Sequence, residues 1–125
     1  MAIRVLIADD SDVMRAAIAR TLKADPALEV VGEAASFAET LERAGALNPD
    51  IVLLDLHMAD ESRYLPEIVK GPLLENCGCI LAISVWNDED AIALAKRLGA
   101  VTLLDKAHLF SNLISSIKLF CDTDR

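Results

Sequence analysis

The sequence predicts an α/β fold, a doubly wound five-stranded parallel sheet with helices on both faces. Three observations lead there. Short β-branched runs alternate with longer amphipathic segments five times along 125 residues. Most of the runs are continuously apolar, the character of strands buried on both faces of a parallel sheet. Right-handed crossovers between such strands then distribute the helices over both sides.

The elements follow in order. Ile3–Ala8 (IRVLIA) reads as a buried strand ending on Asp9 and Asp10. Ser11 is a candidate N-cap, after which Met14, Ala17, Ile18, Thr21 and Leu22 fall on one helical stripe. Asp25-Pro26 stops that helix, and Leu28–Ala34 alternates like a strand. Ser36 and Glu39 form a capping-box pattern before the helix carrying Phe37, Leu41 and Ala44. Asn48-Pro49 turns the chain into Asp50–Asp55 (DIVLLD), an apolar run closed by a carboxylate. A weaker helical pattern covers about Ser62–Leu74, with a break expected near Gly71-Pro72. Cys79–Ser84 (CILAIS) is the fourth strand. Asn87 is a candidate cap for a helix whose first turn holds Asp88, Glu89 and Asp90, the end of the dipole that favours acids. Gly99 is the expected C′ residue, and Val101–Leu104 is a short fifth strand. Leu109, Leu113, Ser116, Ile117 and Phe120 mark the last helix.

Composition narrows the function classes. Hydrophobic residues make up 54% of the chain, enough to fill one core, and one domain over residues 1–125 is expected. A net charge of -8 with no basic stripe repels nucleic acid, so direct nucleic-acid binding is not expected. No apolar run reaches the roughly 20 residues of a membrane span. The N-terminus meets acidic residues too early for a signal peptide, which predicts a cytoplasmic location with no membrane partner. Cys77, Cys79 and Cys121 lack zinc-knuckle spacing and are expected to be reduced.

In an open parallel sheet, ligands bind beyond the carboxyl ends of the strands. Here those ends carry Asp9 and Asp10 after strand one, Asp55 after strand three, Ser84 after strand four and Lys106 after strand five. Singly, each has a bland reading: a helix cap, a turn former or a solvated charge. Jointly they suggest a site. Three converging carboxylates repel unless a hard cation joins them, and Mg²⁺ favours few carboxylates plus waters and phosphate oxygens. Lys106 adds a second positive charge and Ser84 a hydroxyl, a set able to hold a phosphoryl group.

The stretches VLIADDSDVMR (Val5–Arg15), PDIVLLDLHM (Pro49–Met58), ILAIS (Ile80–Ser84) and GAVTLLDK (Gly99–Lys106) resemble the response-regulator receiver domains of two-component signalling, the chemotaxis regulator among them. The resemblance implies a flavodoxin-like sheet in the order 2-1-3-4-5. It also implies a phosphorelay module, not an enzyme with its own substrate, that accepts a phosphoryl group from a histidine kinase or phosphotransfer protein. Asp55 would be the phosphoacceptor and Asp10 a direct Mg²⁺ ligand. Asp9 would act through metal-bound water, and the His57 backbone carbonyl would complete the protein ligands. Ser84 would bond a phosphoryl oxygen and Lys106 would pair with phosphorylated Asp55. A downstream protein target is implied, and a homodimer through the face of the fourth helix, fifth strand and last helix is plausible, with Leu103, Phe110 and Ile114 as its apolar residues.

The chain departs from the family pattern at four places. Ala107 follows Lys106 where relatives carry a cis proline; a non-proline cis bond costs about 3 kcal/mol, so a trans bond and an altered loop are expected. Leu103 stands where relatives carry an aromatic switch residue. Ala59 replaces a proline in the loop after Asp55, which predicts a non-standard path there. His57 and Trp86 flank the pocket, His57 most simply as an exposed loop residue and Trp86 as packing or as a lid that slows hydrolysis. Ala107 and Leu103 motivate the alternative of a degenerate receiver that docks proteins without phosphorylation. An aspartyl phosphohydrolase fits less well, since His57 occupies the place of its second acid. A flavin binder fits poorly because the loop after strand one is acidic.

Overall fold

The computed structural model describes residues 2–60, 71, 73–86 and 88–120. Its elements are β1 (Ile3–Ala8), α1 (Asp12–Lys23), β2 (Leu28–Ala34), α2 (Phe37–Leu47), β3 (Ile51–Asp55), β4 (Cys79–Ser84), α3 (Glu89–Arg97), β5 (Thr102–Asp105), a 3₁₀ turn (Lys106–His108) and α4 (Leu109–Phe120). The strands form one parallel sheet in the order β2-β1-β3-β4-β5, as expected.

Alternation along each strand builds two cores. Val5 and Ile7, Ile51 and Leu53, and Leu81 and Ile83 face Ile18 and Leu22 of α1 and Leu109, Leu113 and Ile117 of α4. Leu6, Val52, Leu54 and Ile80 face Phe37 and Ala44 of α2 and Ala95 and Leu98 at α3. Strands buried on both faces leave polar residues only at their ends. That sends the chain's chemistry to one edge of the sheet.

The helix starts are set by side-chain caps. Ser11 accepts from Met14 N and Ser36 from Glu39 N, while Glu39 reaches back to Ala35 N at 2.7 Å. For α3 the cap is Asp88, which accepts from Ala91 N; Asn87, the cap expected from sequence, lies outside the described residues. Gly99 adopts φ +80° directly after α3, the left-handed conformation that ends a helix with little cost only for glycine.

Several expectations need correction. The predicted helix over Ser62–Leu74 lies mostly outside the described residues, as does Pro72 of the expected break; residues 71 and 73–75 are helical. The fifth strand is shifted by one residue, to Thr102–Asp105. Phe120, named with the last helix's apolar residues, is exposed. Cys79 is disulfide-bonded where reduced thiols were expected. Cys77 is free, its thiol pushed up to about 11 by burial. Among the described residues, no helix is long and apolar enough to cross a membrane.

Candidate functional site

The carboxyl edge of the sheet gathers Asp9, Asp10, Asp55, Ser84 and Lys106. Asp9 directly follows β1 and is fully buried, Asp55 ends β3 and is 2% exposed, and Ser84 ends β4 and is fully buried. Asp10 is exposed. One carboxylate oxygen from each of Asp9, Asp10 and Asp55 lies within 4.8 Å of the others.

Lys106 enters from the turn after β5. Its Nζ lies 2.8 Å from Asp9 Oδ2 and 3.4 Å from Asp55 Oδ2. The ammonium is thus shared between two buried carboxylates of different strands. Apart from this ion pair, the buried Asp9 Oδ2 accepts no hydrogen bond among the described residues. Burial works against the Lys106 charge, but the pairs with Asp9 and Asp55 outweigh it and hold the ammonium above its ordinary range. Asp55 is raised, chiefly by burial; the His57 N–H at 3.0 Å and Lys106 pull it down, and the Asp9 charge pushes it up.

The neighbouring loops hold this set in place. Ser11 N donates to Asp9 Oδ1 at 2.8 Å, and Arg15 donates to the Asp9 carbonyl at 2.7 Å. Arg15 also pairs with Asp12 and with Glu33 of β2, pinning the end of β1 from two sides. The Lys106–Ala107 peptide is trans, as the missing proline predicts. Ala107 N instead bonds Asp105 Oδ1 at 2.9 Å, a side-chain cap on the 3₁₀ turn that sets the Lys106 stem.

Sequence reasoning missed two features. Asp60, in the loop after Asp55, accepts from Phe37 N at 2.9 Å and Ala38 N at 3.1 Å. Its charge sits on the positive end of α2 and anchors the loop that lacks proline at Ala59. His57 is not an exposed bystander: it is half-buried, and its Nε2 lies 3.1 Å from Ser84 Oγ. Trp86 N donates to the same Oγ at 3.0 Å, and the His57 and Trp86 rings meet edge-on at 4.6 Å. The hydroxyl expected to face Asp55 therefore bonds towards His57 and Trp86.

The family model for the response regulator receiver domain matches residues 5–118. This chain belongs to the response-regulator receiver family. The receiver shares 37% identity over 111 residues with protein-glutamate methylesterase/protein-glutamine glutaminase 2 of Anaeromyxobacter dehalogenans, covering 89% of this chain and 32% of that protein. With the DNA-binding transcriptional activator DevR/DosR of Mycobacterium tuberculosis it shares 36% over 104 residues, 79% of this chain and 46% of that protein. It thus spans a third to a half of the length of these relatives. The response regulator domain of Thermotoga maritima CheB superposes with a TM-score of 0.83 at 26% identity over the whole of both chains. The signal receiver domain of the NarL-type regulator of Mycobacterium tuberculosis gives 0.83 at 27%, covering 99% of this chain and 98% of that one. The receiver is therefore a module of two-component signalling.

Proposed function

We propose that the receiver spans residues 1–125 and accepts a phosphoryl group on Asp55 from the phosphohistidine of a histidine kinase or phosphotransfer protein. The observation that carries this reading is the Lys106 ammonium held between Asp9 and Asp55 at 2.8 and 3.4 Å. An Asp55 carboxylate oxygen attacks phosphorus as the P–N bond to the donor imidazole breaks, its electron pair leaving on nitrogen. Lys106 then faces the oxygens on which negative charge gathers. Arg15 and Ser11 keep Asp9 aimed at that ammonium. The role is a signalling switch in the cytoplasm, with no substrate turned over besides its own phosphoryl group.

The donor set fits Mg²⁺. Three carboxylates within 4.8 Å offer only hard oxygens, and the otherwise unpartnered Asp9 Oδ2 is a buried acceptor seeking positive charge. Asp10 and Asp55 would ligate directly, Asp9 through water, and the His57 backbone carbonyl would complete the protein ligands. A divalent cation there supplies charge neutralisation of the phosphoryl oxygens.

Mass spectrometry after incubation with a small phosphodonor and Mg²⁺ tests the reading. Wild type should gain one phosphoryl group and Asp55→Asn none. Wild type without the adduct would leave the docking alternative, a receiver working unphosphorylated.

The output face is proposed to be α3, β5 and α4, used by a downstream protein or by a second copy. Leu103 and Ile114 are half-buried against the cores, so only part of each side chain is available to a partner. Ile92, Val101, Phe110, Leu119 and Phe120 are the exposed large apolar residues of these elements and their flanks among the described residues. Self-association should strengthen with beryllofluoride and Mg²⁺. Sedimentation showing monomer in both states would count against it.

A further inference from the structure

Ser84 is fully buried, and its hydroxyl has one proton to give and two lone pairs to receive. Trp86 N–H fills one lone pair at 3.0 Å. The remaining contact is His57 Nε2 at 3.1 Å, and its polarity decides what Ser84 can do. Were Ser84 to donate to Nε2, its only proton would be spent on the side away from Asp55. Were Nε2–H to donate, both lone pairs would be filled and the proton would stay available.

We infer that the His57 ring, as its Nε2–H tautomer, donates to Ser84 Oγ and so reserves the Ser84 proton for an oxygen arriving at Asp55. This rests on Asp55 being the phosphoacceptor. His57 is then a positioning residue for the phosphoryl group, acting through Ser84 without touching the reacting atoms. The geometry holds the ring for that task from two directions. Its own backbone N–H is fixed on Asp55 Oδ1 at 3.0 Å, and its ring edge packs against Trp86 with an interplanar angle of 72°. One short stretch of backbone thus connects the acceptor carboxylate to the donor that orders Ser84. Trp86 contributes from both ends, through its N–H to Ser84 and its indole to His57.

The test compares beryllofluoride affinity in the presence of Mg²⁺. His57→Phe keeps an aromatic ring against Trp86 but has no donor, and should weaken binding about tenfold, roughly 1.4 kcal/mol. His57→Gln, whose amide can donate, should recover most of it. In a Ser84→Ala background, His57→Phe should have no further effect, which a general packing role would not produce. In the metal-free wild type, nitrogen NMR of His57 should show the proton on Nε2. A proton on Nδ1 alone, tighter or unchanged binding by His57→Phe, or additive losses in the double variant would each overturn the inference while leaving the Asp55 reading intact. Wild type that fails to bind beryllofluoride at all would instead sink that reading, and this inference with it.

Discussion

Lys106→Met should lower the unfolding temperature of the metal-free receiver at pH 7 by on the order of 10 °C. It should also slow phosphoryl transfer to Asp55 by about 10²–10³-fold. Both follow from one ammonium shared by two buried carboxylates. Removing one partner of a buried ion pair commonly costs about 3–5 kcal/mol, because the remaining charge stays desolvated and unpaired. Here two carboxylates of like charge remain. Methionine keeps most of the stem volume, so the loss reports charge more than packing. The loss should be largest above neutral pH and fade on acidification, as the carboxyls take up protons and escape their repulsion. Mg²⁺ should restore part of the stability by replacing the missing positive charge, while the transfer rate stays low. Calorimetry across pH, with and without Mg²⁺, checks the first claim and single-turnover phosphorylation the second. An unfolding temperature within a degree of wild type would mean that the pairing carries no stability.

The sheet was legible in the sequence for a simple reason. Ile3–Ala8 and Cys79–Ser84 are apolar on both faces, so neither register nor partner was needed to recognise them. Caps at Ser11 and Ser36 and the turn at Gly99 were equally readable, since each is decided within four residues of chain. The members of the site were legible for the same local reason, because each stands at a strand end. What they touch was not. The Asp60 carboxylate on α2 closes a separation of 22–23 residues, and the His57–Ser84 contact one of 27. Neither distance leaves a periodic or turn signal. His57 looked exposed because a single polar side chain after a strand carries no local sign of a packing partner. It is half-buried because Trp86, from the end of another strand, comes to lie against it. The cap of α3 is Asp88, a residue that sequence alone does not single out because Asn87 beside it is an equally good capping type.

Asp55→Asn, which should abolish phosphoryl acceptance, should also make the metal-free protein more stable at pH 7 by a few degrees. The carboxyl of Asp55 is raised chiefly by burial, with the Asp9 charge adding to it and with the His57 N–H and Lys106 offsetting part. A carboxyl raised on folding binds more protons folded than unfolded. Its contribution is therefore most favourable below the unfolded pKa of about 3.9 and is lost as pH climbs through the higher folded value. At neutral pH wild type bears the full cost of an ionised, buried acceptor. Asparagine removes the charge yet keeps a carbonyl oxygen for the His57 N–H. It gives up the attraction to Lys106 at 3.4 Å, but the shorter contact with Asp9 at 2.8 Å still holds that ammonium. The stability gap between variant and wild type should therefore close on acidification. Mg²⁺ should narrow it at pH 7, because a ligand that prefers the wild-type site stabilises wild type more. Equal unfolding temperatures at pH 7, or a gap that widens towards acid, would show that burial is not what raises Asp55. The instability predicted here has the same source as the proposed reactivity: a carboxylate kept out of water, whose charge is better satisfied by a cation and a phosphoryl group than by the resting protein.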